Sequence, residues 1–175
     1  MNSDRLQSLM DRAYKLGYEY EQTYMGCAQC VYAALQDALG LRNTETDAVF
    51  KSATALAGGT AIEGDAGCGA YSGGVMMMGT IVGRERENFA DPDGVRYRTS
   101  EMARALHQRF IDTYGTVICH GIHRKIFGRP FYIVDPDERA KFDEAGAHTE
   151  KCPSVVGEAA RWTVEILHES GCLPG

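Results

Sequence analysis

A chain of 175 residues has the length of one compact domain and can bury about 70% of the surface its unfolded form exposes, so it needs no covalent staple. Eighteen basic against 24 acidic residues leave a net charge of −6, which opposes nonspecific nucleic-acid binding and attraction to anionic membrane surfaces. No apolar run reaches the roughly 18 residues of a spanning helix, and the polar start Met1-Asn2-Ser3-Asp4 has neither the basic nor the apolar part of a leader peptide, so no membrane insertion and a reducing cytoplasmic setting are expected. Six cysteines fall far below the roughly 8–10% of a disulfide scaffold; in that setting they read as reduced thiols, metal ligands or a catalytic pair.

Taken in order, the elements are helical almost throughout, which predicts an all-α, single-domain bundle over residues 1–175. Leu6, Leu9, Met10, Ala13, Tyr14, Gly17 and Tyr20 recur at helical spacing and predict an amphipathic first helix from about Ser3 to Tyr24. Ala28, Val31, Leu35, Ala38 and Leu39 form the stripe of a second, with Gly40 as its terminator. Thr44 with Asp47 three residues on resembles a capping box opening a third, whose stripe includes Val49, Phe50, Ala53 and Ala57.

Gly58 to Gly74 holds seven of the 20 glycines and reads as a loop of close approach. Ala70 to Val82 is apolar on every side and predicts a helix buried all round at the centre of the fold, with the Met76-Met77-Met78 run as core filling rather than a copper site. Asp91-Pro92-Asp93-Gly94 is a turn; Met102, Ala103, Leu106 and Phe110 mark a fifth helix ending near Gly115. A short helix from about Thr116 to Phe127 carries Cys119, and Phe131-Tyr132-Ile133-Val134 reads as a brief extended piece. Asp135, with Pro136 behind it, caps another short helix, and Cys152, Val155, Val156, Ala159, Ala160, Thr163, Ile166 and Leu167 define a last one entered through Pro153. Gly128 to Lys151 is an excursion on the one domain.

The cysteines fall at informative places. Cys27 and Cys30 lie in the first turn of the second helix, Cys68 just before the central one, and Cys152 just before the proline that opens the last. A helix start carries free N–H groups and about half a positive charge, which predicts lowered thiol pKa values there. Cys119 shares an apolar stripe with Ile122 and Ile126, and Cys172 sits near the chain end with no role assigned to it. Cys27-Ala28-Gln29-Cys30 is a CxxC pair that suits either a dithiol redox site or metal ligation; Val31 in place of histidine excludes covalent haem attachment. His123, four residues after Cys119, shares its face, so the two could reach one metal, or the imidazole is an ordinary buried histidine. His120 points elsewhere and reads as a surface residue, and His107, His148 and His168 stand in polar surroundings without a signal. The glycine-rich stretch lacks the spacing of GxGxxG and of GxxxxGK[ST]; its backbone suits hydrogen bonding to cluster sulfurs or to an anion.

The segment Cys68-Gly69-Ala70-Tyr71-Ser72-Gly73 resembles the CGAxxG segment of the C_GCAxxG_C_C family of redox-active proteins, although the name spells GCAxxG and here Gly69 separates Cys68 from Ala70. Gly26-Cys27-Ala28-Gln29, Val117-Ile118-Cys119 and Lys151-Cys152-Pro153 are similar to the family's other three cysteine segments, in order, so the likeness runs from about Tyr24 to Leu167. The resemblance implies a helical protein related to the cluster-binding part of split-Soret cytochromes, where an iron-sulfur centre is present. Carried over residue by residue, it makes Cys27, Cys68, Cys119 and Cys152 the ligands of an iron-sulfur cluster, 2Fe-2S favoured over 4Fe-4S, with Cys30 and His123 as auxiliary candidates and no haem. The expected function is then electron transfer with a redox partner protein or a small-molecule electron donor or acceptor, with no nucleic acid involved and a homodimer as the expected assembly. Two other readings stay open: a metal-independent thiol-disulfide oxidoreductase working through Cys27 and Cys30 or through Cys68 and a partner, and a zinc-binding or metal-sensing module with Cys119 and His123 among its ligands. Tyr71 and Ser72 are either supporting groups around the sulfurs or ordinary packing.

Overall fold

A computed structural model describes residues 2–174 and contains eight α-helices among them, with no β-strand. Helix α1 (Ser3–Tyr24) starts at Asn2, whose side chain accepts from the N–H of Arg5, and buries Ala13, Gly17 and Glu21. Helix α2 (Cys27–Leu39) is buried along most of its length and stops where Gly40 takes the left-handed conformation. Helix α3 (Thr44–Ser52) does open with a capping box, but one residue earlier than Thr44 suggests: Asn43 accepts from the N–H groups of Glu45 and Thr46, and the Thr46 hydroxyl accepts from the Asn43 N–H. Asparagine wins the cap because its short amide reaches both donors at once.

Helix α4 (Gly69–Val82) packs on α2, α5 (Val95–Tyr114) and α8 (Cys152–Glu169), and α1 lies along α2 and α8. These five form the core around Tyr32, Leu35, Met77, Met78, Leu106, Phe110 and Leu167. The central helix is not buried all round: Gly69, Ala70, Gly73, Gly74, Met77 and Met78 are buried, while Tyr71 and Ser72 are only partly so. Val75, Met76, Gly79, Ile81 and Val82 keep some accessible surface and Thr80 is exposed. Met77 and Met78 fill the core, and Met76 packs at its edge.

Helix α6 (Cys119–Phe127) is shorter than the sequence suggests, since residues 116–118 are spent on the approach: the Cys68 N–H donates to the Val117 carbonyl at 2.7 Å and the Cys119 N–H to the Ala66 carbonyl at 3.1 Å. These bonds tie the glycine-rich loop to the start of α6. Phe131 to Val134 is a turn rather than an extended piece. Phe131 is instead an anchor, packed with Phe142 and Ala147 in a second small core that Phe127, Ile133 and Cys152 border. Helix α7 (Pro136–Glu144) is capped by Asp135, and a π-helical turn (Ala147–Lys151) runs into α8. The excursion at 128–151 therefore folds back over the starts of α6 and α8.

Candidate functional site

Four of the six cysteines line one cavity of about 330 Å³: Cys27 at the start of α2, Cys68 at the N-cap of α4, Cys119 at the start of α6 and Cys152 at the start of α8. Cys68 and Cys119 are 7% and 5% exposed and sit at its floor; Met25, Arg139 and Asp143 are exposed and form its rim. The walls are mostly apolar, lined by Ile62, Ile122, Ile126, Ile133, Phe142 and Val155. All six cysteines carry free thiols.

The CxxC pair does not act as one site. Cys27 faces this cavity, whereas Cys30 lines a separate one of about 520 Å³ with Tyr20, Tyr24 and Phe50, and its thiol donates to the Met25 carbonyl at 3.1 Å. The neighbour of Cys27 in this cavity is Cys68, whose thiol raises its pKa. Cys172 lies apart, accepting from Arg98 Nη2 at 3.0 Å.

The approach of α4 to α2 depends on missing side chains. A Cβ on Gly69 would overlap Cys27 Sγ, and one on Gly73 would overlap the Ala28 carbonyl oxygen. The loop before α4 is unusual: Gly58, Gly59, Thr60, Ala61 and Ile62 all have positive φ, a left-handed turn fastened by bonds such as Ala61 N–H to Ala55 O at 2.8 Å and Gly64 N–H to Gly58 O at 2.9 Å. It presents the Gly58 N–H to the Cys27 sulfur and lays Gly59 against Cys119 Cβ.

Helix starts elsewhere are capped by side chains: Asn2 on α1, Asn43 on α3, Asp135 on α7, and Asp91 on α5 through Val95 N–H at 2.8 Å and Arg96 N–H at 3.2 Å. At the cavity, α2, α4 and α6 have no side-chain cap. The Cys119 and His120 N–H groups of α6 go to carbonyls of the glycine loop, which leaves the starts of α2 and α4 as the ones free to meet a negative charge.

Cys27, Cys119 and Cys152 nonetheless resist ionisation, contrary to the expectation from helix position. A hydrogen bond with Cys68, followed by burial, pushes Cys27 well above the ordinary thiol value; burial pushes Cys119 up to about 12; burial and then the charge of Glu21 push Cys152 well up. Cys30 is pushed up by burial and by Glu21. Desolvation of a thiolate in an apolar cavity outweighs about half a unit of helix charge.

His123 is buried, stacks on Phe142 with ring centroids 4.9 Å apart, and brings Nε2 to 3.5 Å from Cys119 Sγ. Burial, then neighbouring His120, lowers it to about 4, so the imidazole is neutral. His120 is not a free surface residue: Nε2 lies 3.0 Å from the Phe131 carbonyl and the ring fills the space beside Gly64. Ser72 Oγ donates to the Cys68 carbonyl at 3.3 Å, while Tyr71 packs edge-on against Phe110. Two lining residues carry no sequence signal of their own. Glu21, 2% exposed, reads as the polar side of α1, and His148 comes near it only through the π-turn, with Nδ1 3.7 Å from Glu21 Oε1. Among the described residues no group of three or more His, Cys, Asp or Glu side chains is drawn together to hold a metal ion, and no helix is long and apolar enough to cross a membrane.

An all-α domain that gathers four thiols at helix starts around one apolar cavity defines a class of helical thiol proteins suited to redox chemistry. The chain belongs to the family described as "Putative redox-active protein (C_GCAxxG_C_C)", whose model matches residues 25–166. No curated protein and no solved structure matches it.

Proposed function

We propose that Cys27, Cys68, Cys119 and Cys152 hold an iron-sulfur cluster and that the protein carries electrons to or from a redox partner. The observation that carries this reading is the placing of four thiols, from four separated segments, on one apolar cavity where Cys27, Cys119 and Cys152 are held in the thiol form. With Cys119 near 12, only about one molecule in 10⁵ holds that thiolate at pH 7, so ionisation needs a cation that displaces the proton.

The donor set fits the group: four sulfurs satisfy either a two-iron or a four-iron cluster, and the cavity offers more room than a single ion takes. When bound, the cluster supplies one-electron exchange. The protein's part is to orient the sulfurs through the fixed starts of α2, α4, α6 and α8 and to exclude water with Ile122, Ile126 and Val155. The Gly58 N–H and the uncapped starts of α2 and α4 offset the negative charge that four thiolates bring.

Anaerobic reconstitution with ferrous iron and sulfide tests the reading. The expected product is coloured, has iron and labile sulfide in stoichiometric amounts and gives an EPR signal on reduction; a colourless, iron-free product with every thiol still titratable refutes it. One observation favours a second reading: the Cys27 and Cys68 thiols are neighbours in one cavity and are placed for a dithiol-disulfide couple, which would release two protons and two electrons to an oxidant such as diamide. Mass spectrometry after alkylation separates the two, because that couple yields a Cys27–Cys68 disulfide without iron.

A further inference from the structure

Three of the four buried side-chain polar atoms that lack a hydrogen-bond partner among the described residues belong to side chains lining the thiol cavity: Glu21 Oε2, His123 Nδ1 and His148 Nδ1. Buried polar atoms are almost always paired, and an unpaired one costs about 1–3 kcal/mol. Three such atoms on a single cavity therefore mark a place shaped for something that pairs them.

Glu21 is the most costly of the three. It is 2% exposed, its nearest basic group is the His148 imidazole at 3.7 Å, beyond hydrogen-bond range, and no arginine or lysine pairs with it. Its field works against the neighbouring thiols, raising Cys30, Cys27 and Cys152. The rest of the wall is apolar, and at about 330 Å³ the cavity falls in the range of small-molecule sites, which combine apolar walls with a few polar anchors. It is also open to solvent between Met25, Arg139 and Asp143, which a cavity serving only to shield sulfurs does not need.

We propose that this cavity binds a small amine, with the ammonium group on Glu21 Oε2, the His148 edge beside it, and an apolar body against Ile62, Ile133 and Phe142. The site is thereby assigned a ligand of its own in addition to the sulfurs. The proposal does not rest on the iron-sulfur reading, because binding to metal-free protein stands or falls whether or not iron is taken up.

The test uses full-length protein, reduced and metal-free in EDTA, with the isoleucine methyl groups labelled for NMR. Benzylamine, benzyl alcohol and toluene serve as probes of nearly equal shape. Benzylamine is expected to give saturable shifts at Ile62, Ile126 and Ile133 and to bind at least tenfold more tightly than toluene, with benzyl alcohol between them. Glu21→Gln should remove that tenfold preference and leave toluene binding unchanged. Ile133→Trp, which fills the mouth without touching Glu21, should abolish the shifts with all three probes, and it decides the matter together with the wild-type ranking if Glu21→Gln does not fold. The proposal is overturned if no probe gives saturable shifts at these methyls, which would leave water as the occupant, if the three probes bind equally, or if Glu21→Gln keeps the preference for benzylamine.

Discussion

Two glycines of α4 six residues apart should respond oppositely to alanine. In a helix interior alanine gains up to about 1 kcal/mol over glycine. At Gly79 a Cβ meets nothing within 4 Å, so Gly79→Ala should gain about 0.5–1 kcal/mol, the propensity alone. At Gly73 the same Cβ overlaps the Ala28 carbonyl oxygen and lies 3.0 Å from Val31 Cβ. Both partners belong to the helix-packed body of α2, so the two helices must move apart by about 1 Å to restore ordinary contacts near 3.5–4.0 Å. Overpacking typically costs about 1–3 kcal/mol, and an overlap with a backbone oxygen falls in the upper part of that range, about 2–3, so after the propensity gain Gly73→Ala should be less stable by about 1–2 kcal/mol. Urea unfolding followed by circular dichroism reads both changes as midpoint shifts at constant slope, and at about 2–4 °C per kcal/mol the melting temperatures should split in opposite directions. Since Cys27 immediately precedes Ala28, Gly73→Ala should also lower iron uptake on reconstitution, whereas Gly79→Ala should not. Melting shifts of the same sign for the two variants, or a Gly73→Ala midpoint at the wild-type value, would refute the packing argument.

Serine in place of Cys27, Cys68, Cys119 or Cys152 should each reduce the iron bound after anaerobic reconstitution to less than half, as read by colorimetric iron analysis, while Cys172→Ser keeps the wild-type amount because that thiol faces Arg98 away from the cavity. In metal-free protein, Cys119 should react with iodoacetamide at pH 8 about 10³-fold more slowly than a free cysteine, since three units separate 12 from the ordinary value of 9.0; quantitative mass spectrometry of the labelled peptide measures it, and a rate within tenfold of free cysteine would contradict the burial argument. His123 stays neutral in the folded metal-free chain down to about pH 4, whereas in the unfolded chain it takes a proton as pH falls through about 6.5, so stability is present above 6.5 and lost between 6.5 and 4, by up to about 3 kcal/mol. The drop in unfolding free energy between pH 7 and pH 4 should therefore be smaller in His123→Leu by about that amount, and an equal drop in the two proteins would show that the imidazole titrates freely.

Local rules made most of the helices legible. The apolar stripe of α1, the left-handed Gly40 and Gly115 stops, and the Asp135-Pro136 start of α7 are decided within a turn of sequence, and the structure has them where those residues suggest. Cys27, Cys68 and Cys152 were equally readable as marking helix starts, whereas Cys119 reads as lying three residues inside a helix that in fact begins with it. What escaped is what long-range packing decides. His148 lies 127 residues after Glu21, and only the π-turn before α8 brings their side chains together, so neither residue carries a signal in its own neighbourhood. His120 looks like a surface residue by helical spacing, yet the loop at Gly64 folds onto its ring. The thiol pKa values went against expectation for the same reason: a helix start is a local feature that favours the thiolate, but the surrounding cavity is built from the excursion, α1 and the glycine loop together, and its desolvation dominates.

The stability sacrificed around this cavity is itself an argument that the cavity has an occupant. Thr60, Ala61 and Ile62, with φ of 62, 52 and 57°, each hold a left-handed conformation that costs about 1–2 kcal/mol in a non-glycine residue. Three unpaired polar atoms on the wall add a cost of their own, and two helix starts there go without the side-chain caps found at α1, α3, α5 and α7. A chain selected only to fold would have relieved these with a glycine, an asparagine cap or an apolar residue at position 21. Strain of this kind concentrates where structure serves binding or chemistry, and a group that binds only the folded form returns RT ln(1 + [L]/Kd) of stability, about 2.7 kcal/mol at a hundredfold excess over Kd. The left-handed turn, the open helix starts and the orphaned Glu21 oxygen all border the same four sulfurs, so whatever fills the cavity should raise the melting temperature of the whole domain, through α2, α4, α6 and α8 at once.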